Sequence, residues 1–432
     1  MNYKDYFKDK KIAIVGLGPH GEMMTDIKFL LKNKALLSLY DMRSENRLRK
    51  HIMNLSVGGL QRYSFGKINP DDLLDSDLII LSSEISKKST FLKKAIDSGI
   101  QIDYPDTLFL KIAPPVTLVG VIGAYGKSTV TQLLYAVFKK AFLEYENQGL
   151  FLIDHDSTLG VLTHLKKVKK DDVVLARIPE NLMEYYYQIH MSPHVAVVTS
   201  VVPFKILEFQ TYNNFIVATD NVVDVMKEQK SIIFKAKILR TRAGSVPADW
   251  NLNIKGLHNM ENISLVLQAS ELFKVSKDVV REVAQSFVGL KGRIELIKKV
   301  QGIEFYNDSA SINPDSTLTA IRTLSIDRNL ILILGGAYTG SNYDELMSNI
   351  SQYVSMLIVL PGSGTIGLRE ALQGLKDVIV MNALTLEQAV ISAKDNAKKG
   401  DRVLFSPGFE AVGIDISRKD RGERFVRAVR EL

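Results

Sequence analysis

The stretch Leu118–Leu133, LVGVIGAYGKSTVTQL, leaves this chain little choice of fold. An apolar run of strand character breaks at Gly123 and Gly126 and passes through Lys127, Ser128 and Thr129 into a helical pattern. Strand, glycine turn and helix in that order make the phosphate-binding unit of α/β nucleotide domains, because glycines let successive backbone N–H groups curl round an anion. Lys127 would place a point charge on the outer phosphates of a nucleoside triphosphate, and Ser128 would offer a hydroxyl to Mg²⁺. The spacing is the short form G-x-x-G-K-S-T. Val121 stands where the longer G-x-x-x-x-G-K-[ST] loop would carry its first glycine.

Three blocks of alternating strand and helix patterns surround that loop, as expected of largely parallel sheets. The first, 1–113, opens with IAIVGLGPHG, in which Gly16, Gly18 and Gly21 have G-x-G-x-x-G spacing, and continues to a second strand, LLSLYD, ending in Asp41. That is a Rossmann-like opening, open to two readings: a dinucleotide with Asp41 on a ribose, or glycines that pack a helix on its strand. Pro114-Pro115 marks a linker into the second block, 114–291, with strands expected at VTLVGVI, DVVLARI, HVAVVTS and SIIFK. Gly289-Leu290-Lys291-Gly292 leads into the third, 292–432, with strands at GIEFYND, NLILILGG, MLIVLPG, DVIVMN and RVLFSPG. A 432-residue chain that is 46% hydrophobic has apolar surface for about three such cores. No apolar run approaches the roughly 18 residues that span a bilayer, and the charged start MNYKDYFKDKK lacks a signal-peptide core, so a cytoplasmic location is expected and a membrane is not. Without cysteine, disulfides, thiol nucleophiles and thiolate metal sites are excluded. The net charge of +7 is scattered and interleaved with acids, as on ordinary solvated faces; small anionic ligands explain the mild excess at least as well as nucleic acid, and no nucleic-acid partner is expected.

Several separated segments together resemble the Mur ligase family. Gly256-Leu257-His258-Asn259-Met260-Glu261-Asn262 is similar to its G-x-H-N-x-x-N helix start, and Asn307-Asp308-Ser309 with Asn313-Pro314-Asp315-Ser316-Thr317 to its N-D-S-K-A-T-N-P-x-S-T segment. Arg293 and Glu295 stand where the family has H-R-x-E. Leu334-Gly335-Gly336, Leu404-Phe405-Ser406-Pro407 and Arg421-Gly422-Glu423-Arg424-Phe425 follow in the family's order. The resemblance implies a three-domain α/β protein: a Rossmann-like N-terminal domain for a UDP-linked substrate, a central P-loop domain for ATP, and a Rossmann-like C-terminal domain that swings about the Gly292 region. It implies an ATP-dependent amide ligase of peptidoglycan synthesis, most like the branch that joins D-glutamate to UDP-N-acetylmuramoyl-L-alanine through an acyl phosphate, and acting as a monomer. In it, Gly123, Gly126, Lys127, Ser128, Thr129, His258, Asn259, Asn262 and Asp308 would hold ATP, with Asp308 on the ribose. Arg293 and Lys127 would act on the γ-phosphate, and Ser128 would reach Mg²⁺. Gly16, Gly18, Gly21, Asp41 and Arg43 would receive the UDP end, the last two as the family's D-x-R on uracil.

The departures from the family pattern fall in one functional class. Ala176 occupies the place of a metal-binding glutamate, Val202 that of a metal-binding histidine, and Ala218-Thr219 that of an Ala-Lys pair whose lysine is carbamylated. Ala310 and Thr339 replace two further lysines, the latter one that helps hold D-glutamate, and Gly408-Phe409-Glu410-Ala411 replaces the family's A-x-[AS]-S run. Glu180, one helical turn past Ala176, and Asp220, beside Thr219, are the carboxylates available as substitutes. Two readings follow: a ligase with a rebuilt metal site, or a nucleotide- or UDP-sugar-binding homologue without turnover.

Overall fold

Segments such as Leu78–Leu81 (LIIL), Val195–Val198 (VAVV) and Leu330–Leu334 (LILIL) are buried along their whole length. Strands covered on both faces belong in parallel sheets flanked by helices, and three such sheets form. The computed structural model describes residues 2–432 apart from 19–20, 53–59, 145–148, 155–159, 255, 339–340, 376 and 412–417. The first sheet has β1 (Lys11–Val15), β2 (Leu36–Asp41), β3 (Leu60–Phe65), β4 (Leu78–Leu81) and β5 (Gln101–Asp103) in the order β3-β2-β1-β4-β5, all parallel, the Rossmann order. The second has β6 (Thr117–Ile122), β7 (Leu150–Ile153), β8 (Val173–Arg177), β9 (Val195–Val198), β10 (Phe215–Thr219) and β11 (Lys237–Thr241), ordered β11-β10-β9-β6-β8-β7 and again parallel. In the third, β12 (Glu295–Val300) runs antiparallel to β13 (Ile303–Asn307). The remaining strands, β14 (Leu330–Leu334), β15 (Val354–Val359), β16 (Ile379–Asn382) and β17 (Arg402–Phe405), are parallel in the order β12-β13-β17-β14-β15-β16.

The chain forms two compact units. Residues 1–251 and 257–284 carry the first two sheets, and 252–256 with 285–432 carry the third. Gly292, expected near the hinge, is built into the second unit: its N–H donates to Glu295 (2.8 Å) and its carbonyl accepts from Ala310 N–H (2.9 Å). The chain passes into that unit earlier, before Gln285. One expected strand is absent. SIIFK (231–235) is irregular, and the edge of the second sheet is instead Lys237–Thr241, in register with Phe215–Thr219. Ile232 and Phe234 do pack on the core, so the apolar run is buried as a covering segment and not as a ladder. Among the described residues, no helix is long and apolar enough to cross a membrane.

Local sequence explains the elements that matter for the site. The helix Lys127–Glu144 contains no glycine or proline, and Val130, Leu133, Leu134, Val137, Phe138 and Ala141 form a buried i, i+3, i+4 stripe. Within the first unit, buried polar pins tie the first sheet to the second. The Tyr185 hydroxyl lies 2.7 Å from the Ile102 carbonyl and 2.8 Å from Asp103, whose carboxylate also takes Lys111 Nζ at 2.7 Å. Tyr186 donates to Asp106 at 2.9 Å, and the Asp26 carboxylate accepts the Val161 and Leu162 N–H groups at 3.1 and 2.8 Å. Burial, reinforced by the adjacent aspartates, drives both phenols well above their ordinary pKa, so they remain donors. Replacing Tyr186 by Phe withdraws a donor from a buried carboxylate. The expected cost is about 1–3 kcal/mol, read as a lowered urea midpoint of the first unit, whereas Tyr212→Phe at an exposed ring should leave that midpoint unmoved.

Candidate functional site

The glycine loop joins β6 to the helix Lys127–Glu144, at the carboxyl end of a central parallel strand, where open α/β sheets bind ligands. Gly123 (φ +146°) and Gly126 (φ +79°) supply backbone conformations closed to other residues, and a Cβ on Gly126 would lie 2.6 Å from Asn262 Oδ1. Asn262, from the helix Leu257–Leu272, is therefore brought against the loop, as its motif implied. His258 and Asn259 sit half-buried in the first turn of that helix, and burial lowers the imidazole pKa, leaving it neutral near pH 7. Ser128 and Thr129 are half-buried in the first turn after the loop.

The loop's polar groups are held from within the protein. Ser200 Oγ accepts the N–H groups of Ala124 (2.7 Å) and Tyr125 (3.1 Å), and the Thr199 hydroxyl donates to the Tyr125 carbonyl. Lys127 Nζ folds back onto the carbonyls of Gly123 and of Ala124 (3.2 Å), and lies 3.7 Å from the Glu180 carboxylate. Thr199 and Ser200 escaped sequence reading, which weighed this segment only for a histidine at position 202. A second missed feature is the pair Arg177 Nε to Asp154 Oδ1, 2.6 Å apart with both side chains about nine-tenths buried (11% and 9% exposed). Gln132, from the helix behind the glycine loop, donates to the other Asp154 oxygen at 3.3 Å. A charged residue closing the apolar strand VVLAR was the available signal.

The replaced positions are apolar or capped. Ala176 is buried opposite Gly120 in the β6–β8 ladder, Val202 is buried, and Thr219 is the N-cap residue of the helix Asp220–Glu228. Ala310 is half-buried with its N–H on Gly292, and Thr339 lies outside the described residues. Among the described residues, no three His, Asp or Glu side chains gather as a metal site.

At the first sheet, Gly16, Gly18 and Gly21 all have φ near +80° (81, 80 and 77°). Asp41 and Arg43 meet there as a brace. The Asp41 carboxylate accepts the N–H groups of Leu17 and Arg43 (both 2.9 Å) and the Arg43 guanidinium through Nε (2.9 Å) and Nη2 (2.6 Å), while Nη2 also donates to the Gly18 carbonyl (3.0 Å). Burial alone would raise the Asp41 pKa; these donors outweigh it and hold the carboxyl below its ordinary value. Both carboxylate oxygens are thus engaged, which disfavours the dinucleotide-ribose reading. Between this loop and the second sheet lies a cleft lined by Gly18, Glu22, Asp26, Ser82, Asp154 and Gly160, among others.

In the second unit, Arg293 is exposed in the turn before β12. Asp308 is enclosed: 3% exposed, it accepts from Ile294 N–H (3.2 Å) and the Ser406 hydroxyl (2.7 Å), so it braces the ends of β13 and β17. Arg421 grips the carbonyls of Phe409 (2.9 Å) and Glu410 (3.2 Å), fixing the segment after β17. The structure thus gathers the glycine loop with Asn262, and separately Asp41 with Arg43. Arg293 and Asp308 belong to the other unit.

Two measurements probe these arrangements. Gly126→Ala must place a side chain at φ +79°, at about 1–2 kcal/mol, read as a lowered urea midpoint of the first unit. Gly244→Ala, with nothing near its Cβ, should leave that midpoint unmoved. Burial lifts Asp308 to about 6, against opposing hydrogen bonds from Ser311, Ser406 and Ile294. A raised carboxyl pKa means that the folded state holds the extra proton. The associated stability is therefore present at low pH and lost as pH rises from the unfolded value, near 4, through about 6. Urea unfolding of Asp308→Asn across that window should show a flatter pH dependence than the parent.

Comparison with known proteins adds the family. Residues 10–103 match the model of the Mur ligase MurD-like N-terminal domain, and 292–409 that of the Mur ligase glutamate ligase domain. Proteins named UDP-N-acetylmuramoylalanine–D-glutamate ligase, from Roseiflexus sp. (strain RS-1) and Clostridioides difficile (strain 630), are 26% and 27% identical; the matches cover 97% and 98% of this chain and 98% and 99% of theirs. Among solved structures, the UDP-N-acetylmuramate-alanine ligase MurC of Thermotoga maritima shares the fold at TM-score 0.60 and 15% identity, over 98% of this chain and 99% of that one. The MurF ligase of Thermotoga maritima, solved with ADP, does so at TM-score 0.54 and 15% identity, over 100% and 97%. The chain thus matches Mur ligase domain models at both ends, carries a phosphate loop between them, and is similar along its full length to ligases of that kind.

Proposed function

We propose that the chain is an ATP-dependent, ADP-forming amide ligase of peptidoglycan synthesis that adds an amino acid, D-glutamate in its relatives, to UDP-N-acetylmuramoyl-L-alanine. The observation that carries the reading is the glycine loop, with its left-handed glycines and Lys127 in position, inside a chain whose full-length relatives bear that name. We divide the chain into a UDP-substrate domain at 1–113, an ATP domain at 114–291 and a C-terminal ligase domain at 292–432, each around one sheet; the first two pack as one compact unit.

The chemistry asks the protein for positioning and positive charge. Phosphoryl transfer to the substrate carboxylate makes an acyl phosphate, which the amino-acid amine attacks to give the amide and phosphate. Lys127, now on loop carbonyls, would turn to the transferring phosphate. The backbone of 123–126 would cradle the nucleotide, and Asn262, His258 and Asn259 would wall it. Arg293 would bring a second cation from the C-terminal domain, and Asp308 would hold the loop beneath the ribose by bracing it. Gly16, Gly18, Gly21, Asp41 and Arg43 would shape the seat of the UDP end, the brace fixing the loop that meets it. The residues suit a single Mg²⁺ better than a protein-caged pair: the Ser128 hydroxyl follows the cradle, and no acid cluster stands near it among the described residues. When bound, Mg²⁺ neutralises charge on the phosphates.

Phosphate release given Mg²⁺-ATP, UDP-N-acetylmuramoyl-L-alanine and D-glutamate, each omitted in turn, tests this. Release should require all three and fall at least about 100-fold in Lys127→Ala. Binding of ATP without any release would end the ligase reading for that substrate pair and favour a binding homologue, to which the losses at 176, 202 and 219 would then point.

A further inference from the structure

The residue at position 176 is an alanine, buried at the end of β8 beside the strand that leads into the glycine loop. Three carboxylates stand at this end of the second sheet. Asp154 is committed to Arg177 at 2.6 Å in a nearly solvent-free pair. Asp220 lies 3.5 Å from Arg240, at the β10–β11 side of the sheet, two strands from β6. Glu180 alone of these is within ion-pair distance of Lys127, at 3.7 Å.

The placement of Glu180 follows from its local sequence. Val173–Arg177 ends, Pro179 takes an extended N-cap conformation, and Glu180 opens the helix Glu180–Gln188. A carboxylate in a first turn is favoured by the helix dipole. The side chain is half-exposed (51%), whereas Lys127 is largely covered (12%), so Glu180 can move while the lysine stays with the loop. Mg²⁺ needs few protein ligands: it binds through one or two carboxylates plus substrate phosphates and keeps several waters. One carboxylate beside the cradle, with the Ser128 hydroxyl, meets that demand.

We propose that Glu180 is the protein carboxylate that holds the divalent cation of the bound nucleotide, in the stead of an acid at position 176. The proposal rests on the ATP-dependent reading above. Before nucleotide arrives, Glu180 faces Lys127. With phosphates bound, Lys127 would turn to them and Glu180 would be free to hold the cation that accompanies them, so both charged groups stay beside the loop although their pairing is exchanged.

Glu180→Gln keeps the shape and removes the charge. Nucleotide affinity is measured by titration calorimetry in EDTA and across a Mg²⁺ series, and Mn²⁺ binding to the ADP complex is followed by electron paramagnetic resonance. The expected result is ATP affinity in EDTA equal to or tighter than the parent's, a half-saturating Mg²⁺ concentration raised roughly 10- to 100-fold, and an altered Mn²⁺ signal. Glu180→Asp should recover part of the loss, and Asp220→Asn should match the parent. If Glu180→Gln tightens ATP in EDTA yet leaves the Mg²⁺ series and the Mn²⁺ signal unchanged, Glu180 only parks the lysine and the proposal is overturned. Parent protein that binds ATP with no Mg²⁺ dependence overturns it too while leaving nucleotide binding intact, and parent protein that binds no ATP in either condition overturns the ligase reading with it. Thermal unfolding of each variant shows whether a change in binding reflects loss of fold.

Discussion

Whatever this chain offers to an anion depends on how β6 ends. A buried parallel strand delivers main-chain N–H groups to the sheet edge, and a buried polar group without a partner is costly. Here the N–H groups of Ala124 and Tyr125 are met by Ser200, and the carbonyls of 123–125 by Lys127 and Thr199. The Ala124 and Tyr125 N–H groups are therefore held before any ligand arrives, and a phosphate seated on them would exchange with the Ser200 hydroxyl. Such an exchange preserves the number of hydrogen bonds while replacing a hydroxyl by charged oxygens, and charge-assisted bonds are the stronger kind. Gly123 and Gly126 make the geometry available; the Thr199–Ser200 segment holds it in register.

The N-terminal loop solves the same problem differently. There a carboxylate, Asp41, supplies the acceptor that the glycine turn needs at Leu17, and Arg43 balances the charge while tying Gly18 to the same group. Glu84 and Glu22 contribute to that field, and burial raises the Glu84 pKa against the pull of Arg43. The result is a fixed scaffold of mixed sign beneath the cleft.

Much of the fold was legible because it rests on long apolar runs that only a doubly covered strand can bury. LVGVI, VAVV and LILIL fall where pattern places them, and the glycine turns follow from spacing. The misses share a cause: they lie at edges or in contacts that no local pattern encodes. β3, LQRYSF, is mostly exposed, and β7, LFLI, only partly buried, so neither shows a strong burial signature. SIIFK has the composition of a strand but is used as a cover, because the edge position was taken by Lys237–Thr241. At the site, the glycine loop and Asn262 were readable as motifs. The clamp by Thr199 and Ser200 was not, since it joins residues about 75 positions apart (a separation of 76 for Ser200 and Ala124) through one hydroxyl. Asp308 and Asp41 were readable as important and not as enclosed, because their long-range partners, the Ser406 hydroxyl for Asp308 and the Leu17 N–H for Asp41, come from neighbouring strand ends.

The tyrosine and aspartate pins between the first two sheets bear on more than stability. Asp26 ties one wall of the cleft to the other at Val161 and Leu162, and Tyr185 and Tyr186 hold the segment 103–106 that carries its wall residue Pro105. A molecule entering it meets walls already at a set separation, so association there loses little conformational entropy of the chain. Its heat-capacity change would then report the apolar surface that the molecule and these pinned walls cover.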